Sequence, residues 1–90
     1  MQVRKMRLLR LKYQISLPEL AQFCGISPQR ISEIELNPDV RLDRHTAAKV
    51  NGAFASAVEQ RYATLEQLES EYHKHKDTLL DCVEETKYEL

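Results

Sequence analysis

Apolar residues recur at helical spacing through most of the chain, and the breaks between them fall at residues that start or stop helices. Val3, Met6, Leu8, Leu9, Leu11 and Tyr13, interleaved with cations, predict a first helix over about 3–13. A start signal follows in Ser16-Leu17-Pro18-Glu19. Ser16 serves as N-cap, Pro18 sits in the first turn where its missing N–H costs little, and Glu19 stands where it can close a capping box. The second helix then turns Leu17, Leu20, Ala21 and Cys24 inward and ends at Gly25, a residue free to adopt the left-handed conformation. After a short turn Ser27 caps and Pro28 opens a third helix, with Ile31 and Ile34 as its buried stripe. Asn37-Pro38 stops it, because asparagine tolerates a left-handed cap and proline cannot continue a helix.

Asp43 caps a fourth helix whose inward side includes Ala47, Val50 and Phe54. Asn51-Gly52 admits two readings: it ends this helix, with a long one starting soon after, or Gly52 lies inside a continuous helix at about 1 kcal/mol relative to alanine. From Ala53 to Glu85 there is neither proline nor glycine, which permits a helix of roughly 45–50 Å. Val58, Leu65, Tyr72, Leu79 and Thr86 recur every seven residues, flanked by Tyr62, Leu68, Cys82 and Val83. That stripe is too long for one small globule to cover, so Val58, Tyr62, Leu65, Leu68, Tyr72, Leu79, Cys82 and Val83 are the expected dimer or partner interface. Arg61, Glu69, His75 and Lys76 interrupt it, and a helix folded back as core is the alternative.

Composition narrows the class. Ninety residues make one small domain with or without an appendage, and two glycines, three prolines and 30% charged residues favour an all-α chain. No apolar run approaches the roughly 20 residues of a membrane span, so the expectation is a soluble protein with no membrane partner. The N-terminus lacks the apolar stretch of a secretory signal, and Cys24 and Cys82 form no C-x-x-C pair. A reducing, cytoplasmic setting is therefore expected. Charge is divided unevenly: residues 1–49 hold nine basic and five acidic side chains, and the remainder four and nine. A basic half suited to phosphate thus precedes an acidic one.

Catalytic chemistry finds little support. His73 and His75, two apart on a helix, diverge by about 200°, whereas Glu69/His73, His73/Asp77 and Glu71/His75 have the spacing of surface pairs. No glycine-rich phosphate loop and no nucleophile with a recognisable base occur, so no enzyme activity, metal or cofactor is expected.

The stretch ISLPELAQFCGISPQRISEIE, residues 15–35, resembles the helix-turn-helix of the lambda-repressor-like family, also called the Cro/C1 or XRE type. Ala21 is small where the third helix crosses, Gly25 supplies the turn, and Ile26, Ile31 and Ile34 lock the two helices together. Arg10 and Glu35 stand where that family often joins its first and third helices by a structural ion pair. The resemblance covers about Val3 to Phe54 and implies a head of about four helices over 1–52, followed by a long C-terminal helix over 53–90.

The resemblance also implies a function: sequence-specific binding of double-stranded DNA by a homodimeric transcriptional regulator. The third helix would enter the major groove with Ser27, Pro28, Gln29, Arg30, Ser32 and Glu33 facing the DNA. Gln29 can read adenine, Arg30 guanine or phosphate, and Glu33 can accept from cytosine, the alternatives being a solvated Arg30 and a Glu33 paired with a neighbouring cation. Ser16 and Leu17 at the second helix, with Asn37, Arg41 and Arg44, would hold the backbone. The chain departs from the family in two places, with Leu17 where a glutamine is common and Pro28 where a polar reader is often found. The other cations of helix one, Arg4, Lys5, Arg7 and Lys12, are expected to form a mainly solvated face. The alternative function is a protein-interaction module, such as an antitoxin, adaptor or mobile-element or phage component, whose C-terminal helix binds another protein.

Overall fold

The computed structural model describes residues 2–85, which form four helices and, among those residues, no strand. These are α1 (Lys5–Lys12), α2 (Leu17–Cys24), α3 (Pro28–Leu36) and α4 (Arg44–His75). Each start after α1 has the expected cap: Ser16 Oγ accepts from Glu19 N–H at 3.1 Å, Ser27 Oγ from Arg30 N–H at 3.2 Å, and Asp43 Oδ1 from Thr46 N–H at 2.6 Å. Gly25 ends α2 at φ 69°, in the left-handed region that glycine adopts without steric cost. Asn37 behaves otherwise. It ends α3 extended, at φ −124° and ψ 91°, because the ring of Pro38 disfavours helical or turned backbone at the residue before it.

The core lies where α2, α3 and the first half of α4 meet. Ile15, Leu20, Ile31, Ala53 and Ala57 are buried together, with Met6, Leu17, Ala21, Cys24, Ile26 and Phe54 packed around them. Ala53 and Ala57 are the small residues that let α4 approach α2 closely. They lie past Gly52: α4 runs unbroken through Asn51-Gly52, and contacts with the other helices continue along it to Arg61. Gly52 meets nothing within 4 Å of where a side chain would begin, so it sits on an open helical face and does not end the helix.

Two further expectations change. The first helix is shorter than 3–13, and its buried residue is the charged Arg10, whereas Leu8, Leu9, Leu11 and Tyr13 are exposed. Apolar periodicity there reflects a second, uncovered face. The long helix stops at His75, ten residues before Glu85. His73, Lys74 and His75 place cationic or ionisable groups in its last turn, favourable at the negative end of the helix dipole, and the Thr78 N–H and hydroxyl both donate to the His75 carbonyl. Leu79, Cys82 and Val83 therefore lie past the helix rather than on its stripe, and Thr86 lies outside the described residues.

At 32 residues α4 is about 48 Å long, and only its first half is covered by the head. The radius of gyration is 18.3 Å, against about 12 Å for a compact chain of this length. The molecule is a small head on a projecting rod, 55 × 25 × 22 Å. No helix among the described residues is long and apolar enough to cross a membrane.

Candidate nucleic-acid interface

The α2–turn–α3 unit is held from behind by charge as well as by apolar packing. Glu35 is fully buried and accepts from Arg10 Nε and Nη2, each at 2.8 Å, a planar two-point pairing joining α3 to α1. Arg10 also donates to the Ile15 carbonyl at 3.0 Å, and Arg7 lies 3.6 Å from the same carboxylate. Hydrogen bonding to Glu35 raises the Arg10 pKa despite burial.

Arg4 does comparable work at the same, C-terminal end of α3. Its N–H meets the Glu35 carbonyl at 2.9 Å, while its guanidinium donates to the carbonyls of Ile34, Val40 and Pro38 at 2.8, 2.7 and 3.3 Å. Carbonyls left open at the C-terminus of α3 and in its following loop are thereby satisfied. Arg4 is thus structural and not part of a solvated basic face.

With Ile31, Ile34 and Glu35 buried, the opposite face of α3 is turned outward. Gln29, Arg30 and Glu33 are exposed, and Pro28 and Ser32 are half-buried beside them. Arg30 Nη1 donates to Glu33 Oε2 at 3.0 Å, a solvent-exposed pair one turn apart. Two of the three exposed candidate readers are therefore engaged with each other in the free chain. Gln29 makes no such contact with either.

The candidate phosphate-holding residues flank this face unevenly. Ser16 and Ser27 are exposed and use their oxygens as caps, which leaves each hydroxyl proton free to donate. Leu17 packs its side chain against the core, so that only its backbone N–H, in the unpaired first turn of α2, is suited to an anion. Asn37 Oδ1 accepts from Asp39 N–H at 3.2 Å and orders the loop after α3. Arg41 and Arg44 are exposed at the approach to α4, near the acidic Asp39 and Asp43. Asp43 is held below the usual carboxylate range, chiefly by the backbone N–H of Thr46 and then by its hydroxyl. The surface around α3 is mixed in charge, not uniformly basic.

Arg61 is the residue whose role the sequence least discloses. It interrupts the apolar stripe of α4, and its guanidinium meets Glu19 at 2.8 and 3.1 Å and the carbonyls of Tyr13 and Gln14 at 3.3 and 3.0 Å. This clamp pins α4 to the α1–α2 turn, where Gln14 adopts φ 57°. Hydrogen bonding from Arg61 is the main reason that Glu19 is held below the usual carboxylate range, with a smaller contribution from the Ser16 N–H.

The candidate interface residues of α4, Val58, Tyr62, Leu65, Leu68 and Tyr72, are each at least half exposed. His73 Nε2 lies 3.9 Å from Glu69, a surface pair at helical spacing. Among the described residues no group of three His, Cys, Asp or Glu is placed to hold a metal ion. No family model, no curated protein and no solved structure matches this chain.

Proposed function

We propose that the chain is a sequence-specific double-stranded DNA-binding protein of the lambda-repressor-like helix-turn-helix type, acting as a homodimeric transcriptional regulator in the cytoplasm. One observation carries this reading: a short capped helix, a left-handed glycine turn and a second capped helix whose inner face is wholly buried while Gln29, Arg30 and Glu33 face outward. A rigid helix with exposed polar residues in its first turns is what major-groove reading needs.

In that complex Gln29 pairs with the Watson–Crick-independent edge of adenine through its amide, donating and accepting at once. Arg30 leaves Glu33 for guanine or a phosphate, an exchange that costs at most about 1 kcal/mol because exposed ion pairs are weak. Glu33 is then free to accept from cytosine. The Leu17 amide, the serine hydroxyls of the two caps, Asn37, Arg41 and Arg44 hold the backbone on either side.

A protein-interaction module is the second reading, favoured by the Arg30–Glu33 pair and the mixed charge around it. The Gln29→Ala/Arg30→Ala double variant separates the two. It leaves the core untouched, so its circular dichroism matches the parent, and it loses preference among duplex sequences. Unchanged preference would remove α3 as the reading face.

A further inference from the structure

Helix α1 presents an apolar surface that nothing among the described residues covers. Between α1 and α4 run two adjoining hollows of about 400 and 330 Å³ that share Leu9 and Phe54. Met6, Asn51 and Ala55 are among the other residues lining one, and Tyr13, Val58 and Arg61 among those lining the other. Asn51 and Ala55 leave the groove mouth open because their side chains are short. The same helix that floors the groove carries, about two to four turns beyond Val58, the exposed Leu65, Leu68 and Tyr72.

We propose that this groove receives the projecting half of α4 from a second copy of the chain, in an antiparallel two-fold pair, so that four helices, α1 and α4 of each copy, form the dimer core. This rests on the homodimer reading above and specifies where and in which direction the copies meet. Two-fold pairing makes groove and insert trade places between copies. With Val58 against the partner copy's equivalent of Leu65, the two-fold passes between Arg61 and Tyr62. Leu68 then reaches Ala55 across the pair, and Tyr72 reaches Asn51, the two short residues at the groove mouth.

Charge and area agree with this occupant. On α1 the groove is lined by Lys5, whereas the projecting half of α4 carries Glu66, Glu69 and Glu71 against Lys74. In the stated register Glu69 falls beside Lys5 of the other copy; within one chain Glu69 is 14 residues past Ala55, about 21 Å along a straight helix, and cannot reach it. The chain exposes 7507 Å², about 2,000 Å² more than a compact monomer of 10.5 kDa. A standard stable interface removes about 800 Å² from each partner, so the excess is ample.

Sedimentation and cross-linking of the full chain test the proposal. Lys5→Glu weakens the dimer about tenfold or more, and Lys5→Glu/Glu69→Lys restores it; a double variant no better than Lys5→Glu overturns the pairing. In a Cys24→Ala/Cys82→Ser background, Ala55→Cys/Leu68→Cys oxidises to a covalent dimer and Leu68→Cys alone does not. Efficient cross-linking by Leu68→Cys alone means parallel helices, which overturns the groove assignment and leaves the homodimer standing. A folded chain that sediments as a monomer at all concentrations overturns both. DNA preference is read separately and moves neither result.

Discussion

Replacing Glu35 by leucine removes the carboxylate that faces Arg10. The guanidinium, 6% exposed, keeps one acceptor in the Ile15 carbonyl at 3.0 Å and loses two hydrogen bonds of 2.8 Å. Stranding one partner of a buried pair costs about 3–5 kcal/mol. A 90-residue domain has about 5–13 kcal/mol of total stability, and a small elongated one falls toward the lower figure. In urea, with a slope of about 1–1.5 kcal/mol per molar, the unfolding midpoint followed by circular dichroism falls by about 2–5 M. Arg10→Met/Glu35→Leu removes both charges and leaves an apolar contact in their place, so the double variant returns to within about 1 kcal/mol of the parent. Arg7, 30% exposed, turns to solvent in either case. A Glu35→Leu variant within 1 kcal/mol of the parent, or a double variant as unstable as the sum of the singles, would refute a coupled buried pair.

The two glycines move stability in opposite directions. Gly25→Ala forces a side chain into φ 69° with open space around it, so the cost of about 1–2 kcal/mol is backbone strain alone, whereas Gly52→Ala stabilises by about 0.5–1 kcal/mol because it sits inside a continuous helix; urea midpoints measure both. A loss of stability on Gly52→Ala would mean that α4 is broken there. Acid weakens the α4 clamp. The pKa of Glu19 is lowered by folding, so its contribution is complete above the ordinary carboxylate range, about pH 4–5, and is lost as pH falls toward its depressed native value. Glu19→Gln therefore flattens the midpoint-versus-pH curve below about pH 5 and leaves its slope at neutral pH unchanged.

Local signals in the sequence were enough for the parts of the fold that depend on neighbours. Ser16, Ser27 and Asp43 cap the helices that follow them because a cap is a contact three residues long, and Gly25 turns because few other residues can. Ile31 and Ile34 face the core as their spacing requires. The expected Arg10–Glu35 pair came from family resemblance, not from periodicity, and the geometry places the two together.

What local signals missed is long-range and polar. Arg4 and Arg61 bind carbonyls 30 to 48 residues away, and a backbone acceptor leaves no trace in residue type. The leucines of α1 show helical spacing, yet spacing alone does not distinguish a buried face from one left open. Gly52 permitted either outcome, and Ala53 and Ala57 of α4, buried in the core with Leu20 of α2, favour one helix. On the outward face of α3 the residues named from sequence lie together, and the Arg30–Glu33 contact has the i, i+3 spacing of a surface pair, the alternative that sequence offered for Glu33.

Selection of tight binders from a randomised duplex library, at near-physiological salt and with competitor, tests the central claim most directly, because affinity without either reflects phosphate contacts alone. The account predicts enrichment of a motif with two-fold symmetry whose half-sites lie about one helical turn apart, and its loss in Gln29→Ala/Arg30→Ala. Folded protein that enriches no sequence would contradict it and leave the protein-interaction reading in its place.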